Sequence, residues 1–247
     1  MICYLLILIC IVEFSRKRYF NSLMIFFFLL LEGFQLIPMD ILTIGFFSGT
    51  SIGAALMAFL GLFCIRGQYW LKSLINKACF SKAIWLFIII LVLNMGYGLL
   101  NGYAPGDIFK GARLYILLLS FLMLAEVPME VLLKVIRVLI IITFFQSVLF
   151  LLQVITGRTI LLQGPKELDM EELNYRRFYN VPKLLDLALA SCLFWFPFRL
   201  SKKIRIIFIA VFVLTAIAPL HRGYIFSWIL TVTLYSLLFN NYAKKAW

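Results

Sequence analysis

The chain is a series of apolar stretches, most of them near the length of a membrane-crossing helix, separated by short charged segments. Stretches such as 25–31 and 87–93 are apolar on every side, whereas the strands of a membrane β-barrel alternate apolar and polar residues. The pattern predicts an all-α fold, a polytopic transmembrane helical bundle of about nine spans, within a range of about eight to ten. We place the spans at 1–14, 21–38, 41–65, 83–101, 113–127, 135–156, 181–198, 206–219 and 224–240.

The composition agrees with a single transmembrane domain over residues 1–247. The chain is 64% hydrophobic and its mean hydropathy is +1.03, whereas a soluble domain is closer to half apolar. It has five cysteines, none of them in a Cys-x-x-Cys pair, and one histidine. We therefore expect neither a disulfide framework nor a metal centre.

The charged segments predict which way the spans run. Of the 23 Lys and Arg residues, fifteen fall in the loops of one side and eight in the loops of the other. The positive-inside rule makes the first side cytoplasmic, and this puts the C-terminus in the cytoplasm. Since the net charge of +12 resides in short loops and no nucleic-acid module appears, we expect no nucleic-acid partner.

Segment 66–82 is one of the cytoplasmic loops. In it Tyr69 and Trp70 are interleaved with Lys72 and Lys77. This pattern suits an amphipathic segment on the cytoplasmic membrane surface, and an ordinary basic loop explains it equally well.

The largest outer loop, 157–180, carries Arg176 and Arg177 just before the start of a predicted span. Arg222 stands at the start of another span on the same side. Helix N-termini favour anions, and arginine binds phosphate through two parallel hydrogen bonds. If these helix starts converge, they form a diphosphate site at the membrane surface. The alternative is that these arginines pair with nearby carboxylates or lipid headgroups.

Three further residues are candidates on the outer side. His221 is a candidate catalytic base because an imidazole titrates near neutral pH, and the alternative is that it holds Arg222 or a backbone carbonyl. Lys110 and Arg113 form a second basic pair that could contact the diphosphate, with Asp107 as an alternative partner.

Two segments resemble one known family. Residues 214–224, LTAIAPLHRGY, resemble the Ser-Arg-Gly region of the O-antigen polymerase and O-antigen ligase family. Residues 176–182, RRFYNVP, followed by the small-residue helix 187–191, resemble the family's upstream arginine and helix start. The resemblance implies a membrane glycosyltransferase of polysaccharide assembly in the bacterial inner membrane. Its partners would be membrane lipids and an undecaprenyl-diphosphate-linked glycan, whose diphosphate would be held at the periplasmic face by Arg222 with Arg176 or Arg177. No cofactor is implied.

The chain also departs from the family pattern. His221 replaces the family's serine, and the sequence ends one span after Arg222. We expect that it lacks the family's C-terminal part, whose outer loop supplies a histidine. The chain would then be inactive alone, or His221 would take over that role. The competing functions are a transporter or flippase for a lipid-linked or anionic substrate and a non-catalytic membrane scaffold.

Overall fold

The computed structural model describes residues 2–31, 33–36, 52–75, 78–156, 161, 182–194, 201–218, 229–230 and 233. Of these residues 89% are helical and none lies in a β-strand, so the all-α class is confirmed for the described part of the chain. The chain folds as two compact units. The first is formed by Met1–Leu30 and Met39–Leu132, and the second by Leu31–Pro38 and Leu133–Trp247.

The first unit is built from helices and one 3-10 segment. Its described helices are α1 (Ile2–Ser15), α2 (Tyr19–Leu30), α3 (Ile52–Ile75), α4 (Ala78–Leu100) and α5 (Pro105–Leu118), and α5 runs directly into the 3-10 segment Leu119–Ala125. Within α3, Gly53–Lys72 is long and apolar enough to cross a membrane. Residues 66–75, the first part of the predicted amphipathic segment, are the last turns of α3.

Helix α3 is the centre of this unit, because it packs against α1, α2, α4, α5 and the 3-10 segment. One stretch of α3 is made of small residues, and Ala54, Ala55 and Ala58 are all completely buried. At Gly61 an added Cβ would lie 2.5 Å from Cδ1 of Ile11 on α1. Small side chains let helix backbones approach closely, so this part of α3 permits tight packing in an apolar medium.

An aromatic cluster fills the space between α1 and α3. The Trp70 ring is completely buried, 5.8 Å from the Phe14 ring in an edge-on arrangement and 6.4 Å from the Phe59 ring in a stacked one. Such pairs add stabilisation beyond the area that they bury. Trp70, which the sequence placed in a loop, is thus one of the largest core residues of the unit.

Helices α4 and α5 form a hairpin. Gly102 has φ +79°, a conformation that favours glycine, and it reverses the chain between the two helices. Pro105 stands in the first turn of α5, where its missing N–H costs nothing. Near the turn a Cβ at Gly98 would lie 3.2 Å from the Ile108 side chain, so the helices approach closely there.

The second unit contains α6 (Met129–Thr156, whose first residues belong to the first unit), α7 (Leu185–Phe194) and α8 (Lys202–Ile217). Helix α6 is also long and apolar enough to cross a membrane. The Phe144 and Phe208 rings, from α6 and α8, stack with their centroids 4.1 Å apart.

A left-handed turn at Gly33–Gln35 interrupts the region predicted as span 21–38. Helix α2 ends at Leu30, and Gly33, Phe34 and Gln35 have φ values of 62°, 56° and 60°. The Gln146 side-chain amide on α6 donates a hydrogen bond to the Phe34 carbonyl. Non-helical backbone is tolerated at membrane depth only where protein or water satisfies its polar groups. Gln146 provides such a partner.

The end of α7 is capped by a side chain of α8. Nε of Arg205 donates to the Cys192 carbonyl at 2.8 Å, and Nη2 donates to the Leu193 carbonyl at 2.7 Å. The last carbonyls of a helix have no partner within the helix and carry the negative end of its dipole. The Arg205 guanidinium donates hydrogen bonds to these carbonyls and places a positive charge at the negative end of the dipole.

We predict that Arg205→Ala lowers the free energy of unfolding by about 2 kcal/mol, because two charge-assisted hydrogen bonds are lost. The measurement is the thermal unfolding midpoint of the purified protein in detergent. Lys203→Ala is the matched control, since Lys203 is exposed on the same helix. Equal midpoints for the two variants would contradict a stabilising cap.

Candidate functional site

The four residues with the most specific predicted roles, Arg176, Arg177, His221 and Arg222, lie outside the described residues. Their roles in diphosphate binding and catalysis stay predictions. Among the described residues, no group of three or more His, Cys, Asp or Glu side chains is arranged to hold a metal ion.

Helix α5 carries the other predicted pair. Lys110 and Arg113 both lie on its middle turns, and Asp107 lies in its first turn. The Arg113 side chain is half-buried, and that of Lys110 lies outside the described part. Because Arg113 follows Asp107 by six residues at 3.6 residues per turn, its side chain projects about 120° away from Asp107 around α5.

A groove of about 530 Å³ lies between α4 and α5. On α4 it is lined by Phe87, Ile90, Leu91, Asn94, Met95 and Gly98, positions that share one face of a helix. On α5, Asp107, Gly111 and Tyr115 follow one another at intervals of four and line the facing wall. Small-molecule sites typically occupy about 300–1,000 Å³, so the groove is large enough for a ligand.

The groove is apolar along most of its length and polar at defined points. Phe87, Ile90, Leu91 and Met95 supply the apolar wall. Asn94, Tyr103 and Asp107 supply polar groups, and all three side chains are exposed. Arg113 does not line the groove. The charged lining residue in the described part of the chain is therefore a carboxylate.

A second polar feature of the first unit is a cluster around the Glu126 carboxylate, which we call the Glu126 cluster. Oε2 accepts a hydrogen bond of 3.0 Å from Nε1 of Trp70, and Oε1 accepts one of 3.3 Å from the Tyr19 hydroxyl. The Arg66 guanidinium lies 3.8 Å from Oε1. The Glu126 side chain is only 9% exposed. Its carboxylate accepts hydrogen bonds from side chains of α2 and α3, and Arg66 of α3 balances its charge.

The surroundings of Tyr19 keep its hydroxyl protonated, so that it can donate a hydrogen bond to Glu126. Burial raises the pKa of Tyr19, and the nearby charge of Glu126 and the hydrogen bond to it raise the pKa further. Because the pKa of Tyr19 is higher in the folded than in the unfolded protein, the Tyr19 hydroxyl contributes fully to stability below the ordinary tyrosine pKa. This contribution is lost as the pH rises through the raised pKa. Tyr19 thus remains a donor at neutral pH.

Neither the Glu126 cluster nor the groove was predicted from the sequence. Glu126 is separated from Trp70 by 56 residues and from Tyr19 by 107, and it stands at the end of a predicted span. One signal was available, namely that Arg66 and the start of α2 were assigned to the same side of the membrane. For the groove no signal was available, because it depends on which faces of α4 and α5 meet.

No family model matches the chain, and no curated protein or solved structure is significantly similar to it. The function of the chain is therefore inferred from its own residues.

We predict that Glu126→Gln lowers the free energy of unfolding by about 2–3 kcal/mol. The amide keeps only one acceptor oxygen, and Arg66 loses its partner charge. Unfolding followed by tryptophan fluorescence is a suitable measurement, because Trp70 loses its bond to a charged acceptor. Glu130→Gln is the control, since Glu130 is exposed in the first turn of α6. If both variants unfold at the same midpoint, the cluster contributes no stability.

Proposed function

We propose that the protein is a multi-pass protein of the bacterial inner membrane that acts in surface-polysaccharide assembly. In this proposal the chain forms the bundle of about nine spans, with its C-terminus in the cytoplasm. It polymerises or ligates glycan carried on undecaprenyl diphosphate at the periplasmic face.

Two kinds of observation support the membrane part. Two described helical segments, Gly53–Lys72 and Met129–Thr156, have the length and apolar character of spans. Many large apolar side chains are also exposed, among them Leu86, Val92 and Leu93 on α4, which are 59%, 61% and 66% exposed. Such a surface suits hydrocarbon better than water.

The observation that carries the functional part is the groove between α4 and α5. It has an apolar wall and a polar end at Tyr103 and Asp107, and charge counting assigns that end to the outer side. An amphipathic lipid-linked substrate needs this combination, with hydrocarbon along one part and hydrogen-bonding groups at the other.

The arginines complete the proposed site. Arg222 and Arg176 or Arg177 hold the diphosphate, and Lys110 and Arg113 add positive charge on the same side of the membrane. A departing diphosphate gains negative charge, so preorganised guanidinium groups accelerate its release. His221 is the proposed catalytic base.

A transporter or flippase is the second candidate, and one observation favours it. The left-handed turn at Gly33–Gln35 lies within the predicted span 21–38, and transporters commonly bind substrates at interrupted spans. Detection of a transferred glycan product would separate the two functions, whereas topology reporters and growth assays would not.

The topology predicts a clear result with alkaline phosphatase fusions. The enzyme requires disulfides, which form outside the cytoplasm. A fusion after residue 170 in the outer loop should be active, and a fusion after residue 202 should be inactive. Equal or reversed activities would contradict the proposed orientation.

We further predict that Arg222→Lys or Arg176→Lys shortens the polysaccharide chains. Lysine keeps the charge but cannot form the two parallel bonds to phosphate. Loss of one charge-assisted bond corresponds to about a tenfold to hundredfold lower rate. The measurement is the chain-length distribution in cells that depend on this gene.

Arg199→Lys is the matched control, because the sequence assigns Arg199 to the cytoplasmic side. Normal chain lengths in both arginine variants would overturn the proposed function. Normal polymer with impaired export of the lipid-linked precursor would favour the flippase.

A further inference from the structure

Helix α1 has one buried side and one exposed side. Its buried residues are Cys3, Cys10 and Phe14. Because successive residues of an α-helix are about 100° apart, Leu5, Leu8 and Val12 fall together on the opposite side, and all three are exposed. We call these three residues the α1 stripe. A continuous apolar stripe of this kind suits contact with hydrocarbon.

Three consecutive cations follow the end of α1. The backbone N–H of Arg16 donates to the Val12 carbonyl at 3.0 Å, so the helical path continues to Arg16. Arg16 follows Val12 by four residues and therefore lies in line with the α1 stripe. Lys17 and Arg18 come next, and all three basic side chains are exposed. The exposed side of α1 thus changes from apolar to basic within about one turn.

Two of these three charges have no carboxylate partner in the part of the chain that the structure describes. Nη1 of Arg18 lies 3.6 Å from Oε1 of Glu13, and the Asn21 amide donates to Oε2 of Glu13 at 2.9 Å. The other ion pair found among the described residues is that of the Glu126 cluster. Arg16 and Lys17 therefore present two positive charges to a ligand at the end of the α1 stripe.

The backbone at Lys17 is left-handed. Its φ is 60°, and the Lys17 and Arg18 N–H groups donate to the Phe14 and Glu13 carbonyls, each at 2.9 Å. This is the hydrogen-bond pattern of a helix end at which glycine is the usual residue. Cations near a helix C-terminus are favourable, but Arg16 and Arg18 already supply them. Stability alone therefore does not explain a lysine at this position.

The dimensions of this surface fit one leaflet of a bilayer. Leu5 and Arg16 are eleven residues apart, which corresponds to about 16 Å along a helix. Half of a hydrocarbon core of about 30 Å is nearly the same length. An acyl chain that follows the α1 stripe would bring its phosphate to the cations, and the Arg16 guanidinium can bind phosphate through two parallel hydrogen bonds.

We propose that the end of α1 is a binding site for an anionic phospholipid, with an acyl chain along Leu5, Leu8 and Val12 and the phosphodiester against Arg16 and Lys17. The site goes beyond the proposed function and is independent of it, because it involves neither the groove nor the arginines predicted to hold diphosphate.

Native mass spectrometry of the full-length protein in a neutral detergent tests this site, because it resolves individual bound lipids. The probes are dioleoyl phosphatidylglycerol and dioleoyl phosphatidylcholine, which share their acyl chains. We expect about tenfold tighter binding of phosphatidylglycerol, since each basic residue near a membrane surface adds about fivefold. Equal affinities would overturn the proposal. Displacement of the lipid by equimolar sn-glycerol 3-phosphate, or by a second copy of the chain, would also overturn it.

Arg16→Gln should weaken phosphatidylglycerol binding by about fivefold and leave phosphatidylcholine binding unchanged. Lys72→Gln is the matched control, because Lys72 is an exposed cation of the same unit. It follows the buried Trp70 by two residues and so projects about 160° away from it around α3, whereas Trp70 contacts Phe14 of α1. Equal effects of the two substitutions would show general charge attraction and overturn a site at α1.

Lys17→Gly separates lipid binding from stability. Glycine adopts the left-handed conformation at no steric cost, so we expect a thermal unfolding midpoint in detergent no lower than that of the natural protein. Phosphatidylglycerol binding should nevertheless weaken by about fivefold. Unchanged lipid binding in this variant would overturn the role of Lys17, and weaker binding together with a lower midpoint would assign Lys17 a structural role instead.

Discussion

The first unit depends on one buried carboxylate. Glu126 is held by Tyr19 of α2 and by Arg66 and Trp70 of α3, and each of these donors would be costly to leave unpaired in an apolar setting. The Glu126 backbone directly follows the 3-10 segment Leu119–Ala125, which itself continues α5. The cluster therefore holds the end of this 3-10 segment against α2 and α3, and the segment continues α5, which forms one wall of the groove.

In the second unit, the polar groups that need partners are backbone carbonyls. Gln146 on α6 satisfies the carbonyl of Phe34 in the left-handed turn, and Arg205 on α8 satisfies two carbonyls at the end of α7. Without such partners, each polar group would cost several kcal/mol in hydrocarbon. The Gln146 contact lets the chain leave the helical conformation at Gly33–Gln35, where the apolar sequence predicts a continuous span.

These contacts explain how much of the structure could be predicted. The apolar stretches predicted helices near α3 and α6, because hydrophobic length is a property of consecutive residues. The turn at Gly33–Gln35 was missed, since hydropathy does not detect a left-handed backbone. The partners of Glu126 are distant in sequence, and the groove depends on which helix faces meet, so neither could be predicted without tertiary contacts. The arginine site is still a prediction from charge pattern and resemblance.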